Sequence, residues 1–387
     1  MSRLASPDGA VRTTRQDKAD RPFLVIWEVT RACALACAHC RATSIPDRDP
    51  DELTTAEGRA MLDDIAAWGP PRQIVVLTGG DPFQRDDLAD LVRHGASTGL
   101  SMALAPSVTP RLTRDALVEL REAGARAVSL SLDGASAATH DGFRGVDGVF
   151  AATWPAARTA VELGFRLQIN TTVTRTNVSE LPSMLRQVVE AGTGLWSVFF
   201  LVKTGRGTDL DALEPHEVED VIHWLHDISH HLPVKTTEAP YYRRVAIQRS
   251  HPDAQQPGSR GPVWEELTAR TREVLGTGTG ERRARPPMDV NAGRGFVFVD
   301  HLGIVQPSGF LPIPVGSVRE RPLREIYRDA PLLRALRDPT GFGGRCGRCE
   351  YREVCGGSRS RAFAATGDPL AEDPTCVHDP GAPVEIS

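Results

Sequence analysis

Three cysteines fall within "EVTRACALACAHCRA" (28–42): Cys33, Cys37 and Cys40, spaced C-x3-C-x2-C. Three thiolates on one short loop can converge on a metal centre. A structural zinc ion wants four ligands, usually from paired C-x2-C units. A cube of four irons also takes four, one per iron. A trio leaves one position open, which is useful only where something else binds there. Two plainer readings stand beside this one: buried cysteines without a metal, or a zinc knuckle completed by His39. His39 lies directly between two of the cysteines, where it would be strained as a partner. No cysteine follows until Cys346, Cys349, Cys355 and Cys376, spaced C-x2-C-x5-C-x20-C. Those four make a closed set, and on spacing alone zinc and iron–sulfur are both open. Two metal sites at opposite ends of the chain explain this distribution better than scattered core cysteines.

The flanking stretches must position these loops. "RPFLVIWEV" predicts a buried strand just before the first cysteines. "LTTAEGRAMLDDIAAWG" predicts a helix capped at Thr54 or Thr55, with Glu57 in its first turn and Gly69 as its stop. The runs "RQIVVLTGG", "LSMALAP", "ARAVSLSLDG", "FRLQINTTVT" and "LWSVFFLV" predict five more strands, with a helix before each. Five of the helices end in glycine. Near-continuous apolar strands alternating with helices indicate the α/β class, a parallel sheet covered on both faces. Beyond residue 203 the rhythm breaks. "PHEVEDVIHWLHDISHHL" and a stretch near 263–275 predict helices, and "GRGFVFVDHLGIVQPSG" a hairpin turning at His301–Gly303. "HPDAQQPGSRGP" and "GTGTGERRARPP" read as exposed, mobile segments.

The net charge of −5 over 387 residues gives no reason to expect nucleic acid or an acidic membrane surface as a partner. No apolar run reaches the ~18 residues of a membrane span. Residues 1–21 are polar, lack the apolar core of a signal peptide and read as a disordered tail. A cytoplasmic location follows, where thiols stay reduced and clustered cysteines mean metal more often than disulfide.

"CALACAHC" after the first strand resembles the signature of the radical SAM enzymes. "TGGDP" (78–82) resembles that family's Gly-Gly-Glu-Pro motif, although Gly-Gly-Asp-Pro by itself is a plain turn. "SLSLDG" (129–134) and "HDGFRG" (140–145) fall where SAM-contacting segments lie in relatives with a C-terminal SPASM domain. The resemblance spans roughly 22–380. It implies a partial (β/α)6 barrel over 22–240, a partly mobile linker or insert over 241–290, and a small α+β SPASM-like domain over 291–387.

By the same resemblance, Cys33, Cys37 and Cys40 hold a [4Fe–4S] cube whose fourth iron takes S-adenosylmethionine. Gly79 and Gly80 let the backbone approach the methionyl amino group, and Asp81 stands where relatives have Glu. Ser131 and Asp133 would bond the ribose or amino-acid end, Arg144 the SAM carboxylate, and Asn170 the adenosyl group; a polar residue closing a strand is the plainer reading of Asn170. Cys346, Cys349, Cys355 and Cys376 would hold one auxiliary [4Fe–4S] cluster. A full SPASM domain has further cysteines about where this chain has Arg359 and Ser308, so one auxiliary cluster is expected, not two.

Five arginines (Arg345, Arg348, Arg352, Arg359, Arg361) surround the quartet, either as a solvated basic face or as a dock for carboxylates. "TTEAPYYRR" (236–244) offers Glu238, Tyr241, Tyr242 and Arg243 as substrate contacts. The activity implied is a radical SAM oxidoreductase that cleaves SAM to a 5′-deoxyadenosyl radical, which abstracts a substrate hydrogen. Among relatives the chain looks most like the haem-pathway group, which acts on tetrapyrrole propionates. A ribosomal peptide or a small metabolite is the alternative substrate; the polar N-terminus resembles no leader-binding module, which counts against a peptide that needs one. An electron donor such as flavodoxin or ferredoxin is the expected partner. An iron–sulfur carrier or redox sensor is the non-enzymatic alternative, against which the open trio and the SAM-type motifs speak.

Overall fold

Seven strands, each apolar on the side it turns to the helices, run parallel and in chain order. They are β1 (Leu24–Thr30), β2 (Ile74–Gly79), β3 (Ser101–Leu104), β4 (Ala127–Ser131), β5 (Arg166–Val173), β6 (Leu195–Phe200) and β7 (Val234–Thr237). The computed structural model describes residues 9–250, 260–276 and 285–381. Between the strands run α1 (Thr55–Ala67), α2 (Leu88–Ser97), α3 (Arg114–Glu122), α4 (Ala137–Arg144), α5 (Val149–Glu162), α6 (Leu181–Glu190) and α7 (Pro215–Ile228). The cap of α1 is as expected: Thr54 accepts from the Glu57 amide, and the Glu57 carboxylate accepts from Thr54 N. The stop glycines 69, 99, 124, 164 and 192 all take positive φ, which only glycine adopts cheaply. Six βα repeats were legible; β7 was not. Its four residues, "VKTT", make too short a run to stand out.

Side chains alternate across the sheet. Ile169, Trp196 and Val234 are paired neighbours on the helix side, where Trp196 meets Trp224 of α7 edge-on at 6.1 Å. On the other side, the lumen of the partial barrel, Ser131 is in register with Asn170, Asn170 with Ser197, and Ser197 with Lys235.

The C-terminal part continues this sheet. After α8 (Tyr242–Gln248), α9 (Pro262–Leu275) and β8 (Asn291–Ala292), strand β9 (Gly295–Val299) lies parallel to β1. The antiparallel strands β10 (Ile304–Gln306) and β11 (Gly316–Ser317) extend it further, with the expected hairpin turn between β9 and β10. The helices α10 (Leu323–Asp329), α11 (Pro331–Arg337), α12 (Gly344–Arg348) and α13 (Arg359–Thr366) follow. The predicted mobile segments lie mostly outside the described residues. Among described residues, no helix is long and apolar enough to cross a membrane.

The expected disordered tail needs correction. From residue 9 onward it is folded against the body. Arg12 bridges to Met288, Lys18 pairs with Asp289, Asp20 pairs with Arg324, and Tyr327 donates to the Lys18 carbonyl at 2.8 Å. Ion pairs and backbone bonds hold this segment, so its low apolar content did not reveal it.

Candidate cluster sites

The first cysteine loop leaves the end of β1 and is closed at its base by Ala32 and Ile45, where Cys33 N donates to the Ile45 carbonyl at 2.9 Å. Two other elements grip it. From α4, the carbonyls of Phe143 and Arg144 accept from Ala38 N (2.9 Å) and Ala36 N (3.2 Å). Beyond β6, Arg206 donates from Nε to the Cys37 carbonyl at 2.9 Å and from its backbone N–H to that of Cys40 at 3.0 Å. Nothing in the sequence around Arg206 marked this role.

The glycines of "TGGDP" serve the same loop. A Cβ on Gly80 would lie 2.4 Å from the Ala32 carbonyl oxygen and 2.6 Å from that of Arg31. One on Gly79 would lie 2.3 Å from the Thr30 oxygen. The close approach seen is thus to the cysteine loop itself. Asp81 is fully buried; its carboxylate takes the Thr109 hydroxyl at 2.8 Å and the Phe83 N–H at 3.2 Å. Burial pushes its pKa up. Ser107 donates to the Gly80 carbonyl and sits 3.6 Å from the Cys33 sulfur.

Asp133 and Arg144 pair with each other. Asp133 also accepts from Thr172 N at 2.7 Å, and Arg144 donates from Nη1 to the Cys37 sulfur at 3.6 Å. Both residues are buried, so the pair ties the cysteine loop to the ends of β4 and β5. Asp133 has both oxygens engaged within the protein, and among the described residues Arg144 Nε has no partner. His39 stacks on Phe143 at 4.7 Å, and burial lowers its pKa to about 4. Ser131 and Asn170 face the lumen side by side.

The four C-terminal cysteines line one cavity together with Arg244, Arg345, Asp373 and His378. Donors point at their sulfurs: Tyr351 N to Cys349 at 3.4 Å, and Asp373 N and Arg359 Nη2 to Cys346, each at 3.4 Å. Burial lifts the thiols of Cys349 and Cys355 to about 12. Among the described residues, no three of the seven sulfurs lie within 4.8 Å of one another; the trio of ligand atoms that does converge so closely is Cys349, Glu350 and His378.

Two other expectations change. Of the five arginines, Arg359 and Arg361 are buried and only Arg348 is exposed, so this is not a solvated basic face. Arg359, where a SPASM cysteine was sought, lies over Phe342 at 4.4 Å and donates to the Ala371 carbonyl. Ser308 is buried and accepts from Phe310 N. The four residues offered as substrate contacts are internal supports. Arg243 is spent on the carbonyls of Val354 and Val290, each at 2.6 Å. Tyr241 and Tyr242 are buried, and Glu238 accepts from the hydroxyls of Ser358 and Ser360. These contacts join β7 and α8 to the quartet's loops, across sequence distances no local pattern displays.

The model of the radical SAM superfamily matches residues 27–188, from β1 through α6. The AdoMet-dependent heme synthase of Methanosarcina barkeri is 39% identical over 362 residues, 93% of this chain and 97% of that relative. The chain belongs to the radical SAM superfamily. A second AdoMet-dependent heme synthase, from Oleidesulfovibrio alaskensis, is 38% identical over 97% of this chain and 93% of its own length. These relatives put the chain in the haem-pathway group of radical SAM proteins. Streptococcus suis SuiB bound to S-adenosylmethionine superposes with a TM-score of 0.67 over 93% of this chain and 78% of that one; at 15% identity it shows the radical SAM fold alone. The chain is therefore a radical SAM enzyme, and this family works with SAM and a [4Fe–4S] cluster.

Proposed function

We propose that this enzyme acts on propionate side chains of a tetrapyrrole in haem formation, with one auxiliary [4Fe–4S] cluster held by Cys346, Cys349, Cys355 and Cys376. The observation that carries the reading is similarity over nearly the whole of both chains to proteins named AdoMet-dependent heme synthase. Cys33, Cys37 and Cys40 hold the SAM-binding cluster. Gly79, Gly80 and Asp81 fix the wall beside it, Ser131 and Asn170 face the cofactor from the lumen, and Asp133 and Arg144 brace Cys37. When bound, the first cluster supplies the electron that cleaves SAM, and the auxiliary cluster offers a place for an electron released by the substrate. That second role has a chemical reason. Converting a propionate to a vinyl group by loss of one hydrogen atom and CO2 leaves one electron over. The protein's own part is to hold the substrate, keep water out and orient the side chain. A flavodoxin or ferredoxin in the cytoplasm suits the reducing side.

The test is anaerobic turnover of reconstituted enzyme with SAM, a strong reductant and an iron porphyrin carrying four propionates. The expected result is 5′-deoxyadenosine together with a porphyrin lighter by CO2 and two hydrogens for each propionate converted. Deoxyadenosine without any change in the porphyrin would overturn the substrate assignment.

A further inference from the structure

Lys235 stands on the lumen face of β7, in register with Ser197 of β6, which is in register with Asn170 of β5. An ammonium group turned into a protein interior is costly unless an anion meets it. Among the described residues none does. The charged group that acts on Lys235 is another cation, Arg285, and burial together with that repulsion lowers the lysine pKa to about 8. Beside it, Ser197 is fully buried, and among the described residues its Oγ has no hydrogen-bond partner. A buried hydroxyl left unpaired is uncommon and marks a place where a partner is missing. Asn170 has its amide oxygen engaged by Gln168 at 2.7 Å, which leaves its NH2 to donate. Three donors thus stand in one row across adjacent strands, and among the described residues no acceptor answers Lys235 or Ser197.

Resting on the reading of a carboxylate-bearing substrate, we propose that Lys235, Ser197 and Asn170 form a subsite that binds one substrate carboxylate inside the barrel. A carboxylate accepts up to four hydrogen bonds in its plane and carries the charge the lysine lacks. The surroundings suit the rest of such a molecule. One layer toward the strand ends, Phe199 faces the same lumen and packs with Phe310 of the C-terminal segment at 6.3 Å, an aromatic wall for a flat apolar ring. Ser131, the expected SAM neighbour, lies three strands away in the same row, about 14 Å at the usual strand spacing. Asn170, one strand from Ser131 and two from Lys235, stands between the cofactor end and the acid-binding end of the row. Lys235 is a specificity residue here: it selects acid over ester.

The experiment measures binding of an iron porphyrin with four propionates, and of its tetramethyl ester, to anaerobic holoenzyme by Soret titration. Wild type should prefer the acid. Lys235→Met should weaken acid binding about ten- to a hundredfold, the loss of one charged hydrogen bond, and leave ester binding as it was. Ser197→Ala should weaken the acid less, and Lys235→Arg should retain the preference. Iron content and circular dichroism equal to wild type would show that the variants fold. If Lys235→Met binds the acid as tightly as wild type does, the subsite is wrong while the substrate reading stands. If wild type binds neither compound, the substrate reading fails. The subsite is then decided by whether succinate protects Lys235 from reductive methylation; protection supports it and equal labelling overturns it.

Discussion

Arg144 donates to the sulfur of Cys37 at 3.6 Å, although 107 residues separate the two in sequence. Its other arm holds Asp133, which in turn accepts from the Thr172 amide. The candidate cluster loop is therefore fixed by the barrel's own strand ends. Arginine suits this position because its rigid fork serves a carboxylate and a sulfur at once.

Removing one partner of a buried pair leaves the other charge uncompensated. Arg144→Ala should destabilise the protein by about 3–5 kcal/mol. It should also lower the iron bound by the first cysteine group. The double variant Arg144→Ala with Asp133→Asn removes the stranded charge and should recover part of the stability. Urea unfolding followed by tryptophan fluorescence measures both. A double variant no more stable than the single one would mean that the pair's charge is not what matters.

Gly80 and Gly69 separate two reasons for glycine. Alanine at 80 would press its Cβ against two backbone carbonyls of the cysteine loop, neither of which can swing away. At 69 the Cβ meets nothing within 4 Å, and only the positive φ of 74° is strained. Gly69→Ala should cost about 1–2 kcal/mol and leave the iron content unchanged. Gly80→Ala should lower the iron of the first site while the quartet keeps its own. Equal iron in the two variants would refute the contact argument.

These residues also show what sequence could and could not reveal. The cysteine spacing, the stop glycines and the βα rhythm are local patterns, and each reappears in the fold. The failures are non-local. Arg243 reads as a substrate contact and Arg361 as part of a basic face or a carboxylate dock, yet both are buried, Arg243 against carbonyls 47 and 111 residues away. Glu238 looked like an exposed ligand group, but it is held by serines 120 and 122 residues on. Lys235 lay in a strand too short to notice. A side chain's partners across the sheet become visible only once the register is known.

Acid should loosen one joint between α1 and the C-terminal hairpin. Arg319 bonds the Glu57 carboxylate at 2.8 Å, and with the Thr54 amide it lowers the Glu57 pKa to about 2. A depressed carboxylate stabilises the folded state above its unfolded pKa, and that stability is lost as pH falls through the folded value. The window therefore runs from the ordinary value of 4.5 down to about 2. Both side chains are more than a third exposed, so solvent screening limits the pair to about 0.2–1 kcal/mol. The difference in urea midpoint between wild type and Arg319→Ala should be full at pH 7 and shrink across that window. A gap that widens on acidification would contradict the sign.

The two cysteine groups should prove separable by counting iron. Replacing Cys33, Cys37 and Cys40 by Ala removes the open site but touches none of the quartet's walls, which come from α8, α12, the segment from Cys349 to Gly357 and the segment near Cys376. That variant should keep about four irons per chain, one cube. Zinc in their place would mean that burial and the three N–H donors around Cys346 and Cys349 serve a structural ion. The reverse variant, Cys346 and Cys349 to Ala, leaves β1, α4 and the Arg206 contact intact. It should still form 5′-deoxyadenosine from SAM under a strong reductant, provided it stays soluble. Porphyrin turnover should fail, because the electron left after loss of hydrogen and CO2 has no nearby acceptor. Recovery of product with an added one-electron oxidant would assign the quartet to electron transfer. Full turnover in this variant without any oxidant would show that the C-terminal cluster is not needed for the chemistry.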